Sequence, residues 1–174
     1  MKVTIEKQKV DSKTWERILR NIEDVALLKE IAKDCDEKEA CAIINNPFIT
    51  GEILDVIYEK YVTSERFLYV LSTLLGVDIP QHIIHKLLTR PYEILPFWFA
   101  QALAKQKEIS TEDLEILFCM YQKHMSVETL AGEIAVHPNV NGKLINKMAN
   151  TSKKILLEIL NKTDLEFQVN LKNQ

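Results

Sequence analysis

His82 and His85 stand three positions apart in IPQHIIHKLL, a spacing that sets both imidazoles on one side of a helix. Such a pair can share a metal ion, but a stable site needs a third ligand. None stands near them in the sequence, and no H-E-x-x-H occurs. Acids gather in TEDLE at 111–115. Paired carboxylates do acid–base work, yet the first turn of a helix also attracts acids through its dipole. Ser110, just before them, reads as the cap of such a helix. Cys35, Cys41 and Cys119 are odd in number and at no metal-like spacing, as expected of reduced, buried thiols. No G-x-S-x-G is present, no cysteine sits beside a credible base, and the four glycines are too scattered to cradle a phosphate. The expectation is a protein without catalytic residues, metal or cofactor.

Composition narrows the partners. Of 174 residues, 47% are apolar and 27% charged, with only four Gly and five Pro. Scarce turn residues argue against a β-sandwich or barrel. The opening MKVTIEKQKV has no apolar core of a secretory signal, and no apolar run approaches the ~18 residues that span a bilayer. Together with the thiols this predicts a cytoplasmic protein that does not enter a membrane. The net charge of −3 covers a gradient: residues 92–138 carry three basic and seven acidic groups, and residues 139–174 carry six and three. An acidic middle disfavours nucleic acid, which demands a basic stripe along its phosphates.

Helices must position these side chains. Pro47, Pro91 and Pro138 lie 44 and 47 residues apart. Each follows a short apolar segment, EKEACAIINNP, PQHIIHKLLTRP or VETLAGEIAVHP, that reads as a helix stopped by proline. Asp36, Asp78 and Ser126 precede these segments as caps, and Thr63, Ser110 and Thr151 begin another recurring helix. A third follows each proline, as in GEILDVIYEKY, LPFWFAQALAKQ and GKLINKMA. LPFWFAQALA is apolar nearly all round, which predicts that Trp98 and its neighbours are core. Trp15 is left between capping the stack and meeting a partner. The spacing therefore predicts an all-α protein of four three-helix units, at 12–47, 48–91, 92–138 and 139–174. Residues 1–11 form an arm or cap, and a separate last helix starts at Asp164. His137 falls where Asn46 and Arg90 fall, which marks it as a repeat boundary and not a reactive group.

This pattern of prolines, caps and apolar spacing resembles the armadillo/HEAT class of helical repeats, and junctions such as HPNVNGKLINKMANTSKKILLEIL are similar to the variant leucine-rich repeat. The resemblance implies a right-handed α-solenoid, 1–174, whose concave face binds another protein or peptide. In armadillo-like units the third helix lines that face. Carried onto this chain, it names Lys38, His82 and Thr129, each nine residues before its proline. Cys41, His85 and Gly132 come six before, and Lys86 and Glu133 five before. The expected partner-binding residues are Lys38, His82, His85, Lys86, Thr129 and Glu133. The expected function is that of an adaptor, inhibitor or immunity-type binder. The alternatives are a HEAT-like nucleic-acid-binding or DNA-repair protein, or a structural subunit of a larger assembly.

Overall fold

The computed structural model describes residues 10–64, 66–89 and 95–172, with side chains through Thr163. The leading segment expected to form an arm and the Arg90-Pro91 stop fall outside the described residues, except for Val10 and Asp11. The described residues form eleven helices and no strand: α1 Ser12–Leu19, α2 Val25–Asp34, α3 Glu37–Ile44, α4 Gly51–Tyr61, α5 Phe67–Leu74, α6 Gln81–Leu88, α7 Phe97–Leu103, α8 Thr111–Tyr121, α9 Val127–Ala135, α10 Gly142–Ala149 and α11 Lys153–Lys172. None is long and apolar enough to cross a membrane.

Side-chain caps start many of these helices. Asp11, Asp24 and Asn141 accept the backbone N–H three residues on, at 3.1, 3.0 and 2.9 Å. Asp36 and Glu39 form a reciprocal capping box, at 2.9 and 2.8 Å. Ser110 accepts from Asp113 N at 3.0 Å. Each such cap is worth about 1 kcal/mol.

Other starts differ from the sequence reading. α5 begins at Phe67 without a side-chain cap, so Thr63 is not its start. α6 starts at Gln81 behind Pro80, not at a cap from Asp78. Ser126 holds the cap position of α9 but makes no cap bond. Ser152, not Thr151, receives the N–H of Ile155 at 3.2 Å, while Thr151 bonds back to Lys147 O at the end of α10. No break occurs at Asp164, since α11 runs on for 20 residues.

The chain divides between Val77 and Asp78 into two compact units. In the first, α1 packs on α3 and α3 on α5, with α2 on α4 in a second row. In the second, α7, α9 and α11 form one row, and α6, α8 and α10 the other. Principal partners are thus two helices apart, where a three-helix unit would place them three apart. Helix starts recur every 25–31 residues in each series, as at Val25, Gly51, Gln81, Thr111 and Gly142. The proline spacing misleads for a geometric reason. Pro47 and Pro138 follow α3 and α9, helices of the odd series, whereas Pro91 follows α6 of the even series. They are not equivalent positions of a packing period.

Leu19, Leu28, Ile43, Ile44, Ile53, Ile57 and Leu71 fill the core of the first unit. Ile83, Ile84, Phe99, Leu103, Leu117, Phe118, Leu130 and Ile134 fill that of the second. Each such side chain contributes roughly 1.5–3 kcal/mol by leaving water. Trp98 is a correction: it is 50% exposed, and of the aromatic run only Phe99 is fully buried. Seven residues of helix cannot bury every side, so an apolar run all round leaves some of itself in solvent.

α9 and α11 approach closely at Gly132. A Cβ there would lie 3.0 Å from Glu158 Cγ and 3.1 Å from Lys162 Cγ. Glycine in a helix costs about 1 kcal/mol relative to alanine, and the two stems in the way are flexible. Gly132→Ala is expected to leave urea stability within about 0.5 kcal/mol of the parent, the propensity gain offsetting the displaced stems. Gly132→Leu, which must push the helices apart, is expected to lose about 1–3 kcal/mol.

Candidate functional site

Buried polar side chains are where chemistry would be found, and in this protein each described one ties a helix to its next-but-one neighbour. Glu39 of α3 receives the Trp15 Nε1–H of α1 at 2.7 Å. Asn46, after α3, donates Nδ2 to Leu19 O and Ile22 O after α1, at 2.7 and 3.0 Å, while its Oδ1 accepts from Phe48 N at 2.7 Å. Gln106, after α7, accepts from Ile79 N at 3.1 Å. His137, after α9, reaches Gln106 O through Nε2 at 3.1 Å and accepts from Asn139 N through Nδ1 at 3.1 Å. Those two bonds assign its tautomer: Nδ1 accepts, so Nε2 carries the proton. His137 and Asn46 therefore do the same work, each taking the N–H two residues on and giving a proton to a carbonyl of the earlier turn. Tyrosines ending α4 and α8 repeat the theme. Tyr61 Oη bonds Cys35 O at 2.7 Å, and Tyr121 Oη bonds Leu95 O.

A polar cluster on α6 and α8 opens to solvent. Asp113, only 1% exposed in its side chain, accepts from His85 Nδ1 at 2.7 Å and from Ser110 Oγ at 2.6 Å. Reading Asp113 only as an acid in a favourable first turn thus captured part of its role. Its carboxylate also fixes the half-exposed His85 ring of α6, leaving Nε2 as the nitrogen available outward. This constellation lacks the order of a nucleophilic triad. Histidine and serine both bond to the aspartate, on opposite oxygens, and neither bonds to the other. The cluster orients an imidazole and supplies no activated hydroxyl.

Elsewhere on α8, Glu115 pairs with Lys147 of α10 at 2.6 Å, and Lys147 lies 3.4 Å from the exposed Cys119 sulfur. Lys147 is raised above the usual ammonium range, first by the bond it donates to Glu115. The thiols are free but not uniformly buried: Cys35 is buried, Cys41 half-buried and Cys119 exposed.

Of the six expected partner-binding residues, Lys38 lies in the first unit and the other five are divided between the two rows of the second. His82, His85 and Lys86 lie on α6, in the row with α8 and α10. Thr129 and Glu133 lie on α9, in the other row. Glu133 is turned to ion pairs with Lys105 and Lys162, at 3.5 and 3.2 Å. Gly132 is buried against α11. Lys38 lines a cavity of about 210 Å³ with Trp15, Glu16, Asp36 and Glu39. Trp15 is buried at the back of this cavity, neither a bare cap nor an exposed contact. Among the described residues no three His, Cys, Asp or Glu side chains are placed to hold a metal. Comparison with known protein families, with curated proteins and with solved structures finds no match.

Two predictions follow from the buried bonds. His137→Ala leaves Gln106 O and Asn139 N without their buried partner and should cost about 1–3 kcal/mol in chemical unfolding. His137→Asn should cost less, because Asn46 meets the same demand at another turn. At alkaline pH, burial pushes the Cys35 thiol up to about 11 and the Tyr121 phenol up to about 12, and Tyr61 is raised chiefly by burial as well. The unfolded chain releases these protons first. Stability is therefore full below the ordinary thiol value of 9.0 and falls as pH rises towards 12. Urea midpoints between those limits check it. Tyr121→Phe should be less stable at neutral pH but lose less on going alkaline.

Proposed function

We propose that this protein is a non-catalytic interaction scaffold, an α-solenoid whose outward helix faces bind another protein or peptide. One observation carries the reading: the described buried polar side chains, Glu39, Asn46, Gln106, Asp113 and His137, are all bonded between helices. Such groups serve the scaffold and leave recognition to the surface. Helices packed two apart, with starts recurring every 25–31 residues, favour a two-helix repeat over the three-helix armadillo-like unit. Stacks of this kind expose long rows of helix faces suited to extended partners.

Within the second unit the face of choice is the row α6, α8 and α10. Its helices carry His82, His85 and Lys86 on α6, Glu115 and Cys119 on α8 and Lys147 on α10, a mixed polar set with one oriented imidazole. Mixed signs fit a protein partner better than a nucleic acid. Lys147 is already matched to Glu115, and Arg66 of the first unit lies 3.9 Å from Glu37, so basic side chains that would contact phosphate are partly offset by acids. A cytoplasmic adaptor, inhibitor or immunity-type binder is the class that suits such a surface.

The test is capture from the native lysate on the immobilised full chain, with and without nuclease. A protein retained after nuclease treatment, and lost from a His85→Glu, Lys147→Glu variant that keeps its helical circular dichroism, is the expected result. Retention that vanishes with nuclease would support the nucleic-acid reading instead.

A further inference from the structure

Two histidines of this chain are held in opposite tautomers. Buried His137 carries its proton on Nε2 and accepts at Nδ1. At His85 the order reverses. Its Nδ1 lies 2.7 Å from Asp113 Oδ1, and a carboxylate accepts hydrogen bonds without giving one. Asp113 is itself fixed, since its other oxygen accepts from Ser110 Oγ at 2.6 Å and its side chain is only 1% exposed. Nδ1 of His85 therefore carries the proton, and the neutral ring keeps a lone pair on Nε2. That nitrogen makes no bond among the described residues, on a side chain that is 48% exposed. A buried carboxylate thus holds a hydrogen-bond acceptor in a fixed direction at the surface.

Granted that the α6, α8 and α10 row binds a protein, we propose that His85 Nε2 is the acceptor of that face: the partner gives it a hydrogen bond from an N–H or O–H, and a second proton on the ring closes the site. Protonated imidazole is a donor at both nitrogens. The contact then sets donor against donor, with a positive charge added. Asp113 holds the ring in either state, and more strongly once it is charged, so His85 does not swing aside to relieve the clash. Other titratable groups stand on the same two helices. They are His82 and Lys86 on α6, and Glu112 and Glu115 flanking Asp113 on α8, the helix packed against it. His82 is the second imidazole of the set, and substitution separates the two.

Long-range proton–nitrogen correlation spectra of the full chain read the ring tautomers directly. At about pH 8, above the ordinary imidazole range, the proton is expected on Nδ1 of His85 and on Nε2 of His137. A proton on His85 Nε2 at that pH overturns the proposal. The binding probe is the protein most enriched on the immobilised full chain after nuclease treatment. It should be held about tenfold more weakly at about pH 5 than at about pH 8, with helical circular dichroism unchanged between the two. His85→Gln, whose amide offers an acceptor that takes no proton, should hold it alike at both, whereas His82→Gln should still release it in acid. Binding indifferent to pH, or acid release that survives His85→Gln, overturns the proposal and leaves the scaffold reading standing. Retention of no protein at all overturns both.

Discussion

Short helices set the terms of this fold. A helix leaves its first four N–H and last four C=O groups without internal partners, so in helices of seven to eleven residues the unsatisfied groups rival the satisfied ones in number. Isolated pieces of that length do not persist in water. The chain answers with acids, serine and asparagine at the helix starts, and with Asn46, Gln106, His137, Tyr61 and Tyr121 on carbonyl or amide groups of an earlier turn. Capping and cross-linking are thus one task, performed by the same few side chains, and the rows of helices depend on it.

That economy also accounts for the buried ionisable side chains. Buried histidine, glutamate and aspartate are costly unless bonded, and their burial invites a functional reading. Here their partners include backbone groups, an indole, an imidazole and a hydroxyl. His85 combines a buried orienting carboxylate with a half-exposed ring.

Legibility in the sequence follows the same physics. Asp36 with Glu39, Ser110 and Asn141 could be read as helix starts because a cap needs only residues within one turn. The all-helical class followed from the spacing of apolar residues and the scarcity of glycine. What could not be read was which helix meets which. With helix and loop together recurring at a near-constant length, two helices and three helices each yield a regular spacing, and proline happened to mark every third. The His85–Asp113 and Trp15–Glu39 bonds span 28 and 24 residues and carry no local signature. The faint signal was an acid at an inward position, at Glu39 and Asp113, where apolar residues would otherwise stand. Trp98 was misplaced because periodicity gives the direction of a side chain but not whether a neighbour waits there.

Among the described residues, the buried and part-buried side-chain bonds between helices or their turns span 24 to 32 residues. No long excursion of the chain has to be closed before these bonds can form, and the entropy lost in closing each loop is nearly the same from one end of each unit to the other. Assembly of such a chain can begin at any adjacent set of helices and spread outward, which favours rapid folding over a slow search for distant pairings. It also makes order a local property. A break in one bond loosens its own pair of turns first, so damage to one segment need not be felt at once by segments several helices away.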